Sequence, residues 1–518
     1  MSQDEHEVAH LNQLPDGEMR RVELEGTPIL LFREGDAVHA VGATCPHAGG
    51  PLHEGVRHGA RIVCPWHKAT FCLRSGALLE PPAVDKLPRF RTRIDGGRVL
   101  LSFPAEEQPD NVPEISDKRC FVIVGAGAAG ALAAQTLREE GFAGRIVMLD
   151  RENRVPYDRT ILSKYYLSGE QGGEKSPLQK QEWYRRHRIE RRMCEVVEVA
   201  PRERRITCSD GSTLTYDAAL LATGGTPRRL PVPGSDLGNV FLLRCRSDAE
   251  AILAQAERSK RAVILGASFI GMEVAASLRE RGLDVTVVSR EKLPFAERLG
   301  ERIGSVFVAL HEKHGVDFRL GREIGALEGG PDVQDVVLKD GERLPANLVV
   351  AGFGIAPVTD YLRGVPLNED GSVTVDAQLR VKDELYAAGD IARFPLYGDG
   401  DPIRVEHWRV AEQHGRVAAL NMLGRGVSYE AVPVFWTIQY MKRLDYIGHA
   451  SDWDEIVIRG DLNKPEFLAY YLKGGRVIAG AGFDRDQDMA ALIELFAMRR
   501  DWTVDALGES PAKTLRDG

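Results

Sequence analysis

The chain has 518 residues, 43% of them hydrophobic, and a formal net charge of −9 at pH 7. This composition is typical of a soluble globular protein of about three domains, and the acidic balance gives no basic field for nucleic acid. No apolar run is long enough to span a membrane, seven cysteines are too few for a disulfide framework, and the polar N-terminus has no secretory signal, so we expect a reducing, cytoplasmic setting.

Short strands and turns fill the N-terminal region, from Val22 to Phe103. Residues 27–32 and 37–41 flank a Glu-Gly-Asp turn at residues 34–36, which predicts a β-hairpin. Later apolar runs continue the same pattern of short strands. The sequence therefore predicts a small all-β domain over residues 1–104.

Two loops of this domain each carry one cysteine and one histidine: Cys45-Pro-His47 and Cys64-Pro-Trp-His67. Two thiolates and two imidazoles can hold either a zinc ion or a [2Fe–2S] cluster. Zinc fingers usually pair two cysteines in one segment and two histidines in another, whereas each loop here supplies one of each. This distribution favours a cluster in which two cysteines bind one iron and two histidines bind the other.

The region from about Val22 to Phe103 resembles the Rieske ferredoxin family. The resemblance implies four cluster ligands: Cys45, His47, Cys64 and His67. High-potential members of that family have an extra cysteine in each loop, and Gly50 and Trp66 stand at those positions here. The resemblance therefore implies a low-potential, ferredoxin-type centre.

A βαβ unit follows. The apolar run Cys120–Val124 enters the turn Gly125-Ala-Gly127-Ala-Ala-Gly130, a helical pattern covers Ala131–Arg138, and a second apolar run ends at Asp150. Such glycines allow a tight turn, close approach of a pyrophosphate and close helix–strand packing, and an acid about 20 residues later can bind the ribose. We predict a dinucleotide site with these contacts: Gly125, Gly127, Ala128, Ala129, Gly130, Asp150 and Glu152.

A second βαβ unit begins at Ala262–Leu265, whose turn reads Gly-Ala-Ser-Phe-Ile-Gly. A small serine replaces the middle glycine. Two such units predict two dinucleotides, a flavin in the first and a nicotinamide in the second. The next strand pattern ends in Ser-Arg-Glu, where an acid would suit the ribose of NAD and an arginine the 2′-phosphate of NADP. The predicted contacts of this unit are Gly266, Ser268, Gly271, Arg290 and Glu291.

Two later sequence segments support the prediction of a flavin site. Thr223-Gly224 and Gly389-Asp390 each end a buried strand pattern, and in this order residues 119–502 resemble the flavoprotein reductases with two dinucleotide domains. Disulfide reductases of that group carry a cysteine pair, but the matching stretch, Pro156–Lys164, has none, so transfer to a disulfide is not expected. Its Pro-Tyr-x-Arg and Leu-Ser-Lys strings instead resemble the ferredoxin reductase and apoptosis-inducing factor group.

That resemblance also implies residue roles. Lys164 and Glu273 would pair beside the flavin N5, and Trp408 would form the face nearest an electron partner, so we expect these three to be catalytic. The remaining contacts that we expect with FAD are Arg159, Val197, Thr223, Gly224, Arg228, Gly389, Asp390, His407, Trp408 and Trp436.

The order of the parts is similar to the Rieske-bearing branch of the apoptosis-inducing factor family. The predicted fold class is multidomain: an all-β Rieske domain, an α/β flavoprotein reductase with two dinucleotide-binding domains, and a small α+β C-terminal domain. The predicted boundaries are 1–104 for the Rieske domain, 105–117 for a linker, 118–247 and 373–428 for the FAD-binding domain, 248–372 for the NAD(P)H-binding domain and 429–518 for the C-terminal domain.

Together these features predict an oxidoreductase that passes electrons from NADH or NADPH through FAD to a [2Fe–2S] cluster, and on to a protein or small-molecule acceptor. Two alternatives remain open. One is an NADH-sensing interaction protein with little turnover, and the other is an NAD(P)H oxidase that uses oxygen. A homodimer is compatible with each interpretation.

We predict two irons and two acid-labile sulfides per chain, with a Rieske-type EPR signal after reduction. Because neither loop offers a second cysteine for a bridge, the midpoint potential should lie toward the low end of about −150 to +300 mV. Metal and sulfide analysis with potentiometric EPR checks this. Stoichiometric zinc without sulfide, or a midpoint near the upper limit, would contradict it.

We also predict that NADPH is accepted at least as well as NADH, because Ser289 stands where relatives often have an acid and Arg290 can bind a 2′-phosphate. The measurement is kcat/KM for both cofactors in the wild type and in Arg290→Ala. If the wild type strongly prefers NADH and the substitution leaves NADPH use unchanged, Arg290 does not read the phosphate.

Overall fold

The computed structural model describes residues 4–103, 105, 112–170 and 177–517. Residues 106–111 of the predicted linker therefore lie outside the described part of the chain. Within those ranges, no helix is both long enough and apolar enough to cross a bilayer.

The N-terminal unit is built from short strands. They are β1 (Asp4–His10), β2 (Met19–Leu24), β3 (Thr27–Glu34), β4 (Ala37–Gly42), β5 (Val56–His58), β6 (Arg61–Val63), β7 (Thr70–Cys72), β8 (Leu78–Glu80), β9 (Arg89–Phe90), β10 (Thr92–Asp95) and β11 (Arg98–Phe103). Three sheets result, with strand orders β1-β11-β10, β2-β3-β4-β9 and β5-β6-β7-β8. Ile29–Phe32 of β3 are all buried because the two faces of this strand pack into two different cores. The two cysteine–histidine loops connect β4 to β5 and β6 to β7.

The next part of the chain alternates strands and helices. Its elements are β12 (Cys120–Val124), α1 (Ala128–Glu139), β13 (Arg145–Asp150), α2 (Gln181–Arg186), β14 (Ile189–Met193), β15 (Val196–Ala200), β16 (Arg205–Cys208), β17 (Thr213–Thr215), β18 (Ala218–Leu221), β19 (Gly225–Pro227), β20 (Val240–Leu242) and α3 (Arg246–Ala256). A disulfide joins Cys194, just after β14, to Cys208, and the low cysteine count did not predict it.

The pattern then repeats. The elements are β21 (Arg261–Leu265), α4 (Phe269–Glu280), β22 (Asp284–Ser289), α5 (Ala296–Leu299), α6 (Glu301–Lys313), β23 (Val316–Leu320), β24 (Ile324–Gly329), β25 (Val333–Leu338), β26 (Arg343–Pro345), β27 (Leu348–Ala351), β28 (Ile355–Pro357), β29 (Val373–Thr374), β30 (Arg380–Lys382), β31 (Leu385–Ala387), β32 (Ala392–Pro395), β33 (Pro402–Ile403) and α7 (Trp408–Met422).

These elements form two doubly wound units. The first sheet has the order β14-β13-β12-β18-β31-β30, parallel except for β30, and the second has the order β20-β27-β21-β22-β23, parallel throughout. Apolar runs in the central strands are buried on both faces, as parallel sheets require. β20 pairs into the second sheet although it precedes the predicted boundary at residue 248.

The C-terminal unit is one antiparallel sheet with two helices. Its elements are β34 (Val434–Gln439), β35 (Lys442–Gly448), β36 (Glu455–Asp461), β37 (Glu466–Lys473), β38 (Arg476–Phe483), α8 (Asp486–Ala497) and α9 (Pro511–Asp517). The strand order is β34-β35-β38-β37-β36. Val56 and Val63 of the N-terminal unit share a core with α8 and this sheet, so the N-terminal unit packs directly on the C-terminal one.

Candidate functional site

A cleft of about 320 Å³ lies at the carboxyl ends of the first sheet, where ligands bind in open α/β folds. Its walls come from the first unit, from α4 of the second unit and from β34 of the C-terminal unit. The predicted contacts that line it are Gly125, Gly127, Ala128, Ala129, Asp150, Glu152, Arg159, Lys164, Thr223, Gly224, Glu273, Gly389, Asp390, His407, Trp408 and Trp436.

The glycine turn after β12 is shaped for a phosphate group. Gly125 has φ +105°, and a Cβ there would overlap the carbonyl oxygen of Ala222. Gly127, which lines the cleft just before α1, has open space around its missing Cβ, so a ligand can approach the backbone and the helix N-terminus. A Cβ on Gly130 would instead overlap the carbonyl oxygen of Gly125, so the third glycine allows close helix–strand packing.

One end of the cleft carries the acids that follow β13. Burial raises the pKa of Asp150. Glu152 accepts hydrogen bonds from Tyr157 Oη at 2.8 Å and from Arg159 Nη2 at 2.5 Å. Arg159 also donates to the carbonyl oxygen of Arg244, which ties the loop to the start of α3. This polar end suits the ribose and the phosphates of a dinucleotide.

Lys164 and Glu273 meet inside the molecule. Lys164 lies in a short π-helical turn with non-helical backbone angles, and its Nζ is 3.1 Å from Glu273 Oε2. Both side chains are less than 10% exposed. The Glu273 carboxylate also accepts from the hydroxyls of Ser163 and Thr437, the latter at 2.8 Å, so its orientation is fixed. Lys164 is therefore not a solvated helix charge but part of a buried ion pair on the cleft wall.

A second polar group lies at Asp390. Its Oδ2 accepts from Arg244 Nη2 at 3.0 Å, and both side chains face the cleft. The N–H of Gly389 donates to Nδ1 of the buried His414 at 3.2 Å. Burial lowers the pKa of His414 to about 3, so this imidazole is neutral and can accept that hydrogen bond. The turn that carries Asp390 is thereby held by α7.

Aromatic side chains cover the cleft between α4 and β34. Phe435 packs on Phe269 at a centroid distance of 4.4 Å and on His407 at 4.8 Å. Burial lowers the pKa of His407 to about 3, and its Nδ1 has no hydrogen-bond partner among the described residues. An apolar wall with one neutral, unpartnered ring nitrogen fits the flat, polar-edged ring of a flavin.

The four predicted cluster ligands form two separate pairs. Cys45 and Cys64 are buried and hydrogen-bonded to each other, and the bond from Cys45 lowers the pKa of Cys64 to about 6 although burial opposes this. Backbone N–H groups of Trp66 and His67 point at the same sulfur and lower its pKa further. The sulfur pair and its N–H donors fit one iron of a cluster.

The histidines form the second pair. Nδ1 of His47 lies 3.2 Å from Nδ1 of His67, and burial lowers the pKa of His67 well below its usual range, so its ring is neutral and a ring nitrogen can bind a metal. Within the described ranges, no three or more His, Cys, Asp or Glu side chains surround a single metal position. Two sulfurs and two nitrogens in separate pairs fit a two-iron centre.

The cluster loops abut the cleft. The His67 ring lies 5.2 Å from the Trp436 ring, and Trp436 also lines the cleft. On the other side, His47 Nε2 lies 3.9 Å from Asp158, the residue next to Arg159 of the cleft. The two predicted redox sites are thus separated by single layers of side chains.

Of the second glycine turn, Phe269 and Ile270 line this cleft, whereas the predicted contacts Gly266, Ser268 and Gly271 do not. Gly266 has φ +98°, and the Ser268 hydroxyl accepts from the N–H of Gly271 at 3.2 Å, which caps α4. Arg290 and Glu291 follow β22 on the surface, while Ser289 is buried and its hydroxyl accepts from the N–H of Glu291. The charged groups at this strand end are free to meet a ligand in solvent.

Two predicted FAD contacts do not line the cleft. Val197 is 43% exposed, and Val196 lines the cleft instead, because neighbouring residues of a strand face opposite sides. Arg228 is exposed and donates to the carbonyl oxygen of Ile355 outside the cleft. Arg244 supplies the cleft guanidinium. No motif surrounds Arg244, so the sequence offered no signal for it.

We predict that Lys164→Ala slows reduction of the flavin by NAD(P)H but leaves FAD bound, since a reacting group misplaced by about 1 Å can cost up to about 100-fold in rate. Anaerobic stopped-flow absorbance measures the rate, and FAD content is measured on the same sample. Lys339→Ala, which removes an exposed lysine paired with Glu323, is the control. Reduction at the wild-type rate in Lys164→Ala would show that the buried pair has no part in the reaction.

Three family models match the chain. They are the Rieske [2Fe-2S] domain over residues 4–91, the pyridine nucleotide-disulphide oxidoreductase family over residues 120–415 and the reductase C-terminal domain over residues 434–517. The second alone covers more than half of the chain.

Similar proteins agree with this architecture. Apoptosis-inducing factor 3 of Mus musculus is 36% identical over 511 residues, which cover 95% of this chain and 84% of that protein. Rhodocoxin reductase of Rhodococcus erythropolis is 33% identical over 397 residues, 75% of this chain and 92% of that protein. The reductase in the covalent putidaredoxin reductase–putidaredoxin complex superposes with a TM-score of 0.73 at 30% identity, covering 78% of this chain and 99% of that one. The chain therefore belongs to the pyridine nucleotide-disulphide oxidoreductase family, and it is an oxidoreductase that uses NAD(P)H, FAD and a Rieske [2Fe-2S] cluster.

Proposed function

We propose that this protein is a reductase that contains its own first electron carrier: electrons from NAD(P)H reach the Rieske cluster of the same chain, and an external acceptor takes them from there. The observation that carries this proposal is the packing of the His67 ring on the Trp436 ring, with 5.2 Å between the ring centroids. His67 is a predicted cluster ligand, and Trp436 lines the cleft. The two sites share a boundary, so transfer within the chain needs no further protein.

The chemistry comes from the cofactors: FAD accepts a hydride and gives up single electrons, and an iron–sulfur cluster takes one electron at a time. The chain supplies orientation. Lys164 and Glu273 fix one edge of the cleft, Asp390 and Arg244 fix another, and the aromatic wall excludes water. These groups would hold a flavin in the cleft, with α4 of the nicotinamide-binding unit on one wall and β34, next to the Rieske domain, on another.

The Rieske domain is held to the reductase body by polar contacts that are part-buried or buried. Arg409 Nε donates to the carbonyl oxygen of Pro81 at 2.8 Å, and Arg416 Nη1 donates to that of Leu79 at 2.6 Å. Arg61 Nε lies 3.2 Å from Glu494, a carboxylate that is only 5% exposed. Contacts from both α7 and α8 support a resident carrier rather than one that binds transiently.

The relatives place this arrangement in context. The putidaredoxin reductase structure is of a complex with a second protein, putidaredoxin. In the present chain a Rieske domain occupies residues 4–91 of the same polypeptide, ahead of the reductase. We infer that the external acceptor is a one-electron partner, either a protein or a small molecule, that takes electrons from the cluster rather than from the flavin.

We predict that, under anaerobic conditions, NADH or NADPH reduces the flavin and then the cluster at a rate that does not depend on protein concentration. Trp436→Leu should slow cluster reduction by several-fold or more relative to flavin reduction in the same sample, because it removes the ring that contacts His67. Stopped-flow absorbance and freeze-quench EPR follow the two steps. Trp453→Leu, which alters a tryptophan that packs on Tyr471, is the matched control.

Two results would overturn this proposal. A cluster-reduction rate that rises with protein concentration would mean that electrons cross between chains. A cluster that stays oxidised while the flavin turns over with oxygen would identify an oxidase, with the cluster outside the electron path.

A further inference from the structure

Lys68 has an unusual position for a lysine. It directly follows His67 and is fully buried. Its φ of +65° lies in the left-handed region, which residues other than glycine rarely adopt. Such strain persists only where the surroundings impose it, and it concentrates at functional sites. The contacts of Lys68 show what imposes it here.

The ammonium group of Lys68 has three acceptors. It donates to the carbonyl oxygens of Pro65 at 2.5 Å and Trp66 at 3.3 Å, inside the second ligand loop, and to Asp445 Oδ2 at 2.7 Å, on β35 of the C-terminal unit. Both charged side chains are buried, with exposures of 0% and 2%. Arg443 adds a second link, since its Nη2 donates to the carbonyl oxygen of Pro65 at 3.2 Å. One buried ion pair thus closes the ligand loop and fastens it to another domain.

The strand register places this ion pair beside the ring contact. In the β34–β35 hairpin, Asp445 is the direct cross-strand partner of Trp436. On the Rieske side, Lys68 and His67 are neighbours in one loop. Side chains of directly opposed residues lie about 5 Å apart, so the Lys68–Asp445 pair and the His67–Trp436 pair join the same loop to the same two strands.

We propose that Lys68 and Asp445 are positioning residues, which clamp the second ligand loop onto the β34–β35 hairpin and so hold His67 against Trp436. Neither residue touches the flavin cleft, and both act through the two rings. The part of this proposal that concerns electron transfer rests on the proposed function. The clamp itself concerns only how the Rieske domain is held on the C-terminal unit.

The experiment uses the full-length holoprotein and three variants. Asp445→Asn removes the acceptor charge, Lys68→Met removes the ammonium but keeps the strained residue, and Lys68→Gly removes the ammonium and also relieves the backbone. Lys442→Met is the matched control. Lys442 lies on the same strand as Asp445, β35, but its ion pair with Asp484 is on the surface. Iron content, midpoint potential, amide hydrogen exchange and the two reduction rates are measured for each protein.

We expect all three clamp variants to show faster hydrogen exchange in residues 64–68 and 434–448. Cluster reduction should fall by about 10-fold or more at unchanged flavin reduction, since small displacements carry large rate penalties. Lys68→Gly should behave like Lys68→Met, which would assign the effect to the ion pair and not to backbone strain. The midpoint potential of the cluster shows whether a slower rate reflects a changed driving force or a changed contact between His67 and Trp436. Lys442→Met should match the wild type.

Other outcomes discriminate between the two proposals. Wild-type exchange in the clamp variants would overturn the clamp, whether or not their clusters load. Faster exchange with an unchanged cluster-reduction rate per loaded cluster would show that the pair only stabilises the fold, and would overturn the positioning role. If the wild type itself shows no transfer within the chain but the variants show the faster exchange, the proposed electron route fails and the clamp stands.

Discussion

The close approach of α1 and α7 is the constraint on which the site depends. A Cβ on Gly415 of α7 would overlap the backbone of Ala129 of α1, so only glycine allows this contact. The contact sets α7 across the mouth of the first sheet. The N-terminal end of α7 then carries Trp408 on the cleft, while Arg409 and Arg416 reach the Rieske domain. One helix therefore fixes the distance between the two redox sites.

The ionisable side chains buried near those sites either form an ion pair or have a pKa that burial shifts toward the neutral form. Burial lowers the pKa of Arg409 and raises that of Glu412, on the same helix, well above its usual range, so burial disfavours the charged form of each. Lys68 and Asp445 are charged but paired. Uncompensated charge in a buried layer would be costly, and it would also bias the potentials of both cofactors.

The sequence predicted what local chemistry dictates. The glycines of the first turn and the four predicted ligands Cys45, His47, Cys64 and His67 could be proposed from the sequence because each needs a fixed spacing within a short segment. Arg228 and Val197 lie outside the cleft because the side of the chain that faces a ligand depends on tertiary packing. The packing of the Rieske domain on the C-terminal unit could not be predicted for the same reason, since Lys68 and Asp445, which join the two, are 377 residues apart.

Joining the Rieske domain to the reductase in one polypeptide changes the order of the kinetics. Two separate proteins must find each other by diffusion, with association rates of about 10⁵–10⁷ M⁻¹s⁻¹ that depend on how much of each is present. A tethered domain is met at an effective concentration that can reach about the millimolar range and is set by geometry alone. On the proposed route within one chain, dilution, competing carriers and unequal synthesis of the two parts would have no influence on the first transfer. The stoichiometry of the reductase and the Rieske domain is fixed at one to one because one gene encodes both.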